Sequence, residues 1–274
     1  MKILHKIQQL RFAIWMLFMV SAALSCDRCL HKSKVASDAR ANINGACGYG
    51  TSATSLTTRG GLVTASASAK IYREGVGCGA CYQIRCTDPG VCSKSGVKVL
   101  VTDFTKNTQT DFVLSARSFS RLAVPSKAAQ FLKMGTVDVD YKRIPCEYGG
   151  QNMTVKVDKS SKYPDYLAVQ FLYQGGQTDI TAVEVDQVGS SGWQYMTRNQ
   201  GAIWGMQNPP RGYLSFRLLV TGGYDGSWVW PRRNLLPSIW TPGSVYESGI
   251  QITEIAQEGC SPCETGNWTD TYVN

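Results

Sequence analysis

Six cysteines fall between residues 47 and 146 of a 274-residue chain, at Cys47, Cys78, Cys81, Cys86, Cys92 and Cys146, among Gly-rich turns. Four more stand as Cys26-x-x-Cys29 and Cys260-x-x-Cys263 near the two ends. Ten cysteines point to an oxidising compartment, where disulfides cross-link the chain and restrict what it can fold into. Spacing alone leaves their connectivity open. The two Cys-x-x-Cys pairs could in principle form a tetrathiolate zinc site, but their separation favours disulfides. A redox Cys-x-x-Cys needs a thioredoxin-like βαβ frame, which is missing here. Neither a metal nor a cofactor is expected.

The N-terminus supports the same compartment. Lys2, Lys6 and Arg11 precede a mostly apolar stretch, Phe12 to Leu24, and Ala23-Leu24-Ser25 offers small residues for cleavage. Residues 1–25 are therefore expected to be a signal peptide, with every cysteine beyond the cut. No later segment has the roughly 20 apolar residues of a membrane span. The chain holds only two histidines, His5 and His31. That argues against a Ser-His-Asp hydrolase or a multi-histidine metal enzyme. Residues 26–147 carry 17 basic and 9 acidic side chains, and residues 148–274 carry 8 and 11. The asymmetry suggests two domains, the first suited to an acidic polysaccharide; secretion disfavours nucleic acid.

Periodicity reads as β throughout. Val97–Phe104 is a mixed apolar run of strand length, and Thr136–Ile144 puts Val137, Val139 and Tyr141 on one face with Asp138 and Asp140 on the other. A helical turn or two is expected from Leu114 to Val124. A seam follows at Pro145-Cys146-Glu147-Tyr148-Gly149-Gly150. Beyond it Tyr166–Tyr173 and the alternating Tyr213–Val220 recur between Gly and Pro turns at the spacing of a β-sandwich. Trp228 and Trp230, two residues apart, share a face of any strand there. Trp193 and Trp240 are expected in the core. Asn152-Met153-Thr154 and Asn267-Trp268-Thr269 satisfy the N-glycosylation rule.

Three motifs carry a family. Gly45-Ala46-Cys47-Gly48-Tyr49-Gly50, the run Gly77-Cys78-Gly79-Ala80-Cys81-Tyr82-Gln83-Ile84-Arg85-Cys86, and Val101-Thr102-Asp103-Phe104 resemble the first domain of plant expansins. Tyr166-Leu167-Ala168-Val169, Trp193, Arg198-Asn199 and Gly201-Ala202-Ile203-Trp204 are similar to the second. The leading Cys-Asp-Arg-Cys and the tail Gln-Glu-Gly-Cys-Ser-Pro-Cys resemble the expansin-like A group. The resemblance implies an all-β protein: a six-stranded double-psi β-barrel, similar to family-45 endoglucanases, followed by an immunoglobulin-like sandwich. It places a segment at 26–43, the barrel at 44–147, a linker at 148–156, the sandwich at 157–255 and a tail at 256–274. It implies the pairs Cys47–Cys78, Cys81–Cys146 and Cys86–Cys92. It also implies a monomeric wall protein that binds cellulose, xyloglucan or pectin through Tyr49, Asp103, Tyr166, Trp204, Trp228 and Trp230, and loosens the wall without hydrolysis.

Two departures from the family pattern bear on function. Where expansins carry His-Phe-Asp-Leu-Ser, this chain reads Asp111-Phe112-Val113-Leu114-Ser115. The acid shared with the endoglucanases is thus Val113, and Asp111 is expected to be a solvated or helix-start residue. Glycoside hydrolysis normally needs two carboxylates, so no enzyme activity is expected. In the second domain the tandem Trp-Gly-x-x-Trp becomes Gln200-Gly201-Ala202-Ile203-Trp204, one aromatic short. A weak endoglucanase using Asp103, and a secreted oligosaccharide-binding defence protein, are the competing readings.

Overall fold

The first strand of the barrel comes from a stretch with almost no strand signal. In β1 (His31–Ser37) only Val35 and Ala36 are buried, while Lys32 and Lys34 point outward. The computed structural model describes residues 30–38, 45–222 and 226–253. The leader, Cys26, Cys29, Cys260, Cys263 and Asn267 lie outside them. After β1 come β2 (Val63–Ala67), β3 (Cys81–Cys86), β4 (Val97–Phe104), β5 (Phe112–Leu114) and β6 (Thr136–Ile144). They close in the order β1-β5-β2-β4-β3-β6. β1 runs parallel to β5 and β2 parallel to β4, and the other four neighbours are antiparallel. This is the expected six-stranded barrel, with one correction. Residues 31–37 are not a segment outside it but the strand that closes it.

Ile84, Val99, Val101, Phe112, Leu114 and Tyr141 fill the barrel. On β6 the alternation holds for Val137, Val139 and Tyr141, but Asp140 is also buried, flanked across the strands by Lys32 and Arg85. Among the described residues four α-helices cover the barrel: α1 (Ser52–Gly60), α2 (Ala69–Tyr72), α3 (Ala116–Ser120) and α4 (Ala128–Met134). α3 lies inside the expected helical stretch and is started by Ser115, whose side chain accepts from the Ser118 amide. α1 is Thr-rich and gives little helical signal. It ends where the left-handed Gly61 donates to the carbonyls of Thr57 and Thr58. Cys47–Cys78, Cys81–Cys146 and Cys86–Cys92 are bonded, the pairs that the family resemblance implies.

Among the described residues nine strands build the second domain: β7 (Thr154–Val157), β8 (Tyr166–Leu172), β9 (Asp179–Gln187), β10 (Gln194–Tyr195), β11 (Thr197–Gln200), β12 (Ile203–Gln207), β13 (Leu214–Thr221), β14 (Gly226–Val229) and β15 (Val245–Glu247). One sheet runs β11-β12-β8-β7-β15 and the other β10-β9-β13-β14. Leu167, Val169 and Phe171 of β8 meet Leu214, Phe216 and Leu218 of β13 in the shared core. The linker is shorter than the expected 148–156. Tyr148 is buried in the barrel core and meets Tyr173 edge-to-face at 5.4 Å, whereas Met153 is fully buried in the sandwich.

The domains are joined by backbone in close approach. A Cβ at Gly75 would lie 2.7 Å from the Cα of Gly201, and one at Gly201 would lie 2.4 Å from the Cα of Cys47. Both glycines have positive φ, so neither site suits another residue. Beside this contact Asp179 of β9 accepts from Arg143 of β6 at 2.6 Å and from Arg73 at 2.8 Å.

Candidate functional site

The barrel groove is a row of aligned strand positions. Ala36 of β1 pairs with Val113 of β5, Val113 with Ser66 of β2, and Ser66 with Asp103 of β4. Asp103 Oδ1 accepts from the amides of Ala46 (2.6 Å) and Phe104 (2.8 Å), and the Ser66 hydroxyl donates to Oδ2 at 3.2 Å. Three donors hold the carboxylate as an acceptor and tie the 45–47 loop to β4. A proton donor at a glycosidic bond needs a second carboxyl group nearby. The position across Ser66 offers only the isopropyl group of Val113.

Asp111 does not fill that role, nor is it a solvated acid. It is half-buried and accepts from the Ser68 hydroxyl at 2.9 Å and from Tyr141 OH at 3.0 Å. His31 stacks on Tyr141 with ring centroids 5.2 Å apart. These groups tie β1, β5 and β6 together at one end of the barrel.

Tyr166 begins β8 on the outward face of the five-stranded sheet. It pairs with Gln207, yet its hydroxyl reaches back along β12 to Asn199, whose Nδ2 donates to it at 2.6 Å. A Cβ on Gly205 would come 2.7 Å from that hydroxyl and 2.0 Å from Asn199 Nδ2. The ring therefore lies along the sheet over the missing side chain of Gly205, which presents its plane outward. The same face docks on the barrel further along. Gln170 Nε2 donates to the Cys47 carbonyl at 3.2 Å, and Lys156 Nζ to Ser52 Oγ at 3.0 Å.

Trp204 and Tyr49 are corrections to the expected binding set. Each is only 4% exposed. Trp204 pairs with Val169, an inward position of β8, and so enters the sandwich core. Over its ring lies Arg198, whose Cζ is 4.2 Å from the ring centroid and whose Nη1 donates to the carbonyls of Gly75 and Gly201. Tyr49 is packed into the barrel core, with its hydroxyl against Gly79. Burial pushes its pKa well above that of a free tyrosine, followed by repulsion from Tyr148, while Arg198 pulls the other way. Neither ring offers a face to a glycan.

Trp193, Trp228 and Trp230 lie at the outer side of the other sheet. Arg217 of β13 has its Cζ 4.6 Å from the Trp228 ring centroid and 4.7 Å from that of Trp193, and it pairs with the buried Glu184. Trp193 is half-buried on this outer face and not in the core, because it follows the turn into β10. Trp240 is buried as expected. Trp228 and Trp230 do share a side, but it faces away from that of Tyr166. The inward row Phe216 and Leu218 separates the two surfaces, and sequence reasoning alone did not divide the aromatics between them. Asn152 is half-buried at the junction, with its Nδ2 donating to Glu247. Among the described residues no group of three or more His, Cys, Asp and Glu is placed to hold a metal. No described helix is long and apolar enough to cross a membrane.

Residues 153–237 match the family model for the Expansin C-terminal domain, and residues 64–141 match a barrel family described as lytic transglycolase. Expansin-like A2 of Arabidopsis thaliana is 51% identical over 252 residues, spanning 90% of this chain and 94% of the relative. Expansin-like A1 of the same plant is 49% identical over 263 residues, spanning 94% and 98%. Among solved structures, the apo expansin of Clavibacter michiganensis superposes with a TM-score of 0.61 at 17% identity, over 82% of this chain and 99% of its own. A point mutant of that protein, crystallised with cellohexaose, gives 0.62 over the same shares. At such identity the likeness shows the fold.

Proposed function

Since the chain belongs to the expansin family, with expansin-like A members as relatives over nearly its whole length, we propose that it is a secreted, monomeric cell-wall protein that binds wall polysaccharide and acts on it without hydrolysis. The groove carries this reading: Asp103 accepts from Ala46, Phe104 and Ser66, and Val113, across Ser66 from it, has no carboxyl group. A groove of this kind can bind and orient a glycan, but it lacks the second carboxyl group that glycoside hydrolysis normally needs. The flat-lying ring of Tyr166 is suited to stacking on a sugar, whose C–H groups pack on an aromatic plane. A wall polysaccharide as the ligand class is supported by the cellohexaose bound to a point mutant of the fold-related bacterial protein. Cellulose, xyloglucan and pectin are the candidates.

The test is retention on insoluble cellulose, with soluble xyloglucan and pectin as competitors, while reducing ends are counted. Retention without release of reducing ends is the expected result. Release by the natural protein, abolished by Asp103→Asn, would establish an endoglucanase instead.

A further inference from the structure

The outer face of the β10-β9-β13-β14 sheet presents aromatic groups that neither domain packing nor the groove uses. Tyr195 is 67% exposed and Trp230 is 56% exposed. Between them lies Arg217, with an indole against it on two sides and the buried carboxylate of Glu184 neutralising its charge. Tyr195 in turn is the cross-strand partner of Glu184. These contacts fix the side chains before any ligand arrives, which lowers the entropy lost on binding. Next to them is a hollow of about 320 Å³ whose walls include Trp193 and Trp230, at the lower end of the roughly 300–1,000 Å³ typical of ligand pockets. Its polar lining is Asp186, Gln187, Ser190, Ser215 and Arg233. Asp186 is buried, and its Oδ1 accepts from Ser190 Oγ at 2.8 Å.

Aromatic walls, one anchored carboxylate, two hydroxyls and a guanidinium suit the alternating C–H faces and hydroxyl groups of a pyranose. The acidic and basic groups of the face offset each other, which favours a neutral ligand over an anionic one. We propose that this face is a second polysaccharide-binding surface, selective for a neutral glycan chain, and that the sandwich is therefore bivalent. Tyr166 would hold one strand and the Trp193–Trp230 hollow another, on opposite sides. The inference rests on the reading that the protein binds polysaccharide, and it adds bridging between two glycans.

The experiment loads the protein on insoluble cellulose and measures recruitment of fluorescently labelled soluble xyloglucan, with labelled polygalacturonate as the anionic control. Quenching of tryptophan fluorescence by xyloglucan oligosaccharides is measured in solution alongside. Trp230→Ala, a change at an exposed site, should keep the Tyr166-dependent part of cellulose retention and weaken both xyloglucan recruitment and quenching about tenfold or more. Tyr166→Ala should weaken retention on cellulose while the quenching persists. Recruitment and quenching unchanged in Trp230→Ala would overturn the second surface. So would preferential capture of polygalacturonate, or a shift by Trp230→Ala from dimer to monomer in sedimentation without any change in glycan binding. A natural protein that binds no polysaccharide at all would instead overturn the reading on which the inference rests.

Discussion

Tyr166 and Trp204 pair with β-strand neighbours only three positions apart on β8 and β12, yet they point to opposite sides of one sheet. Trp204→Ala removes a buried indole from the sandwich core and should lower stability by about 3–5 kcal/mol, read as a fall in the urea midpoint. Tyr166→Ala should leave that midpoint nearly unchanged and reduce retention on cellulose. Gly205→Ala tests the same site without touching an aromatic. Its methyl group would displace Asn199 and lift the tyrosine ring, so retention should fall while the sandwich stays folded. Sequence could locate the aromatics but not sort them, because register and not residue type decides which face a side chain takes. That an apolar side chain, Val113, stands in the Asp111–Ser115 motif was legible. That Asp111 is held by Ser68 and Tyr141 was not, since those partners lie 43 and 30 residues away in the chain.

Among the elements, long apolar runs such as β4, β8 and β13 were readable, because burial on one or both faces leaves a periodic signature. β1 and α1 were not. Each owes its place to partners supplied by the rest of the barrel, and neither carries a strong pattern of its own. The disulfides act at this scale. Cys81–Cys146 ties the start of β3 to the segment after β6 across 65 residues, whereas Cys86–Cys92 spans 6. In the chain-entropy account the long closure contributes about 4 kcal/mol and the short one about 2. Replacing Cys81 and Cys146 by Ser should therefore lower the denaturation midpoint by roughly twice as much as replacing Cys86 and Cys92.

At the scale of the molecule, Asp179 makes the domains a single unit through Arg143 and Arg73. Burial alone would raise its carboxyl pKa, but the charges and hydrogen bonds of Arg143 and then Arg73 outweigh that and hold it below 3.8. A depressed acid stabilises the fold above its unfolded value and loses that contribution as pH falls through the folded one. The difference in stability between the natural protein and Asp179→Asn should thus be constant from neutral pH down to about 3.8 and shrink only below it. Thermal melts of both proteins across pH 2–7 would show this; a difference that already collapses near pH 5 would contradict it. Acidification down to about pH 3.8 would then leave this contact between the two domains in place, so a response to pH above that value must arise from other groups.

β1 has a consequence for how the molecule is made. Both of its partners, β5 and β6, lie far downstream, and β6 ends about a hundred residues after β1 does. At the roughly 5–20 residues per second of synthesis, the first strand to emerge waits on the order of ten seconds for the last edge it must fill. During that wait the nascent chain exposes a strand with no neighbour, and cysteines from 47 to 92 can meet oxidant before Cys146 exists. The lysines on β1 discourage pairing with another chain in the interval, as charged edge residues generally do. Assembly is therefore circular in time as well as in space: the barrel is sealed at its oldest residue by its newest.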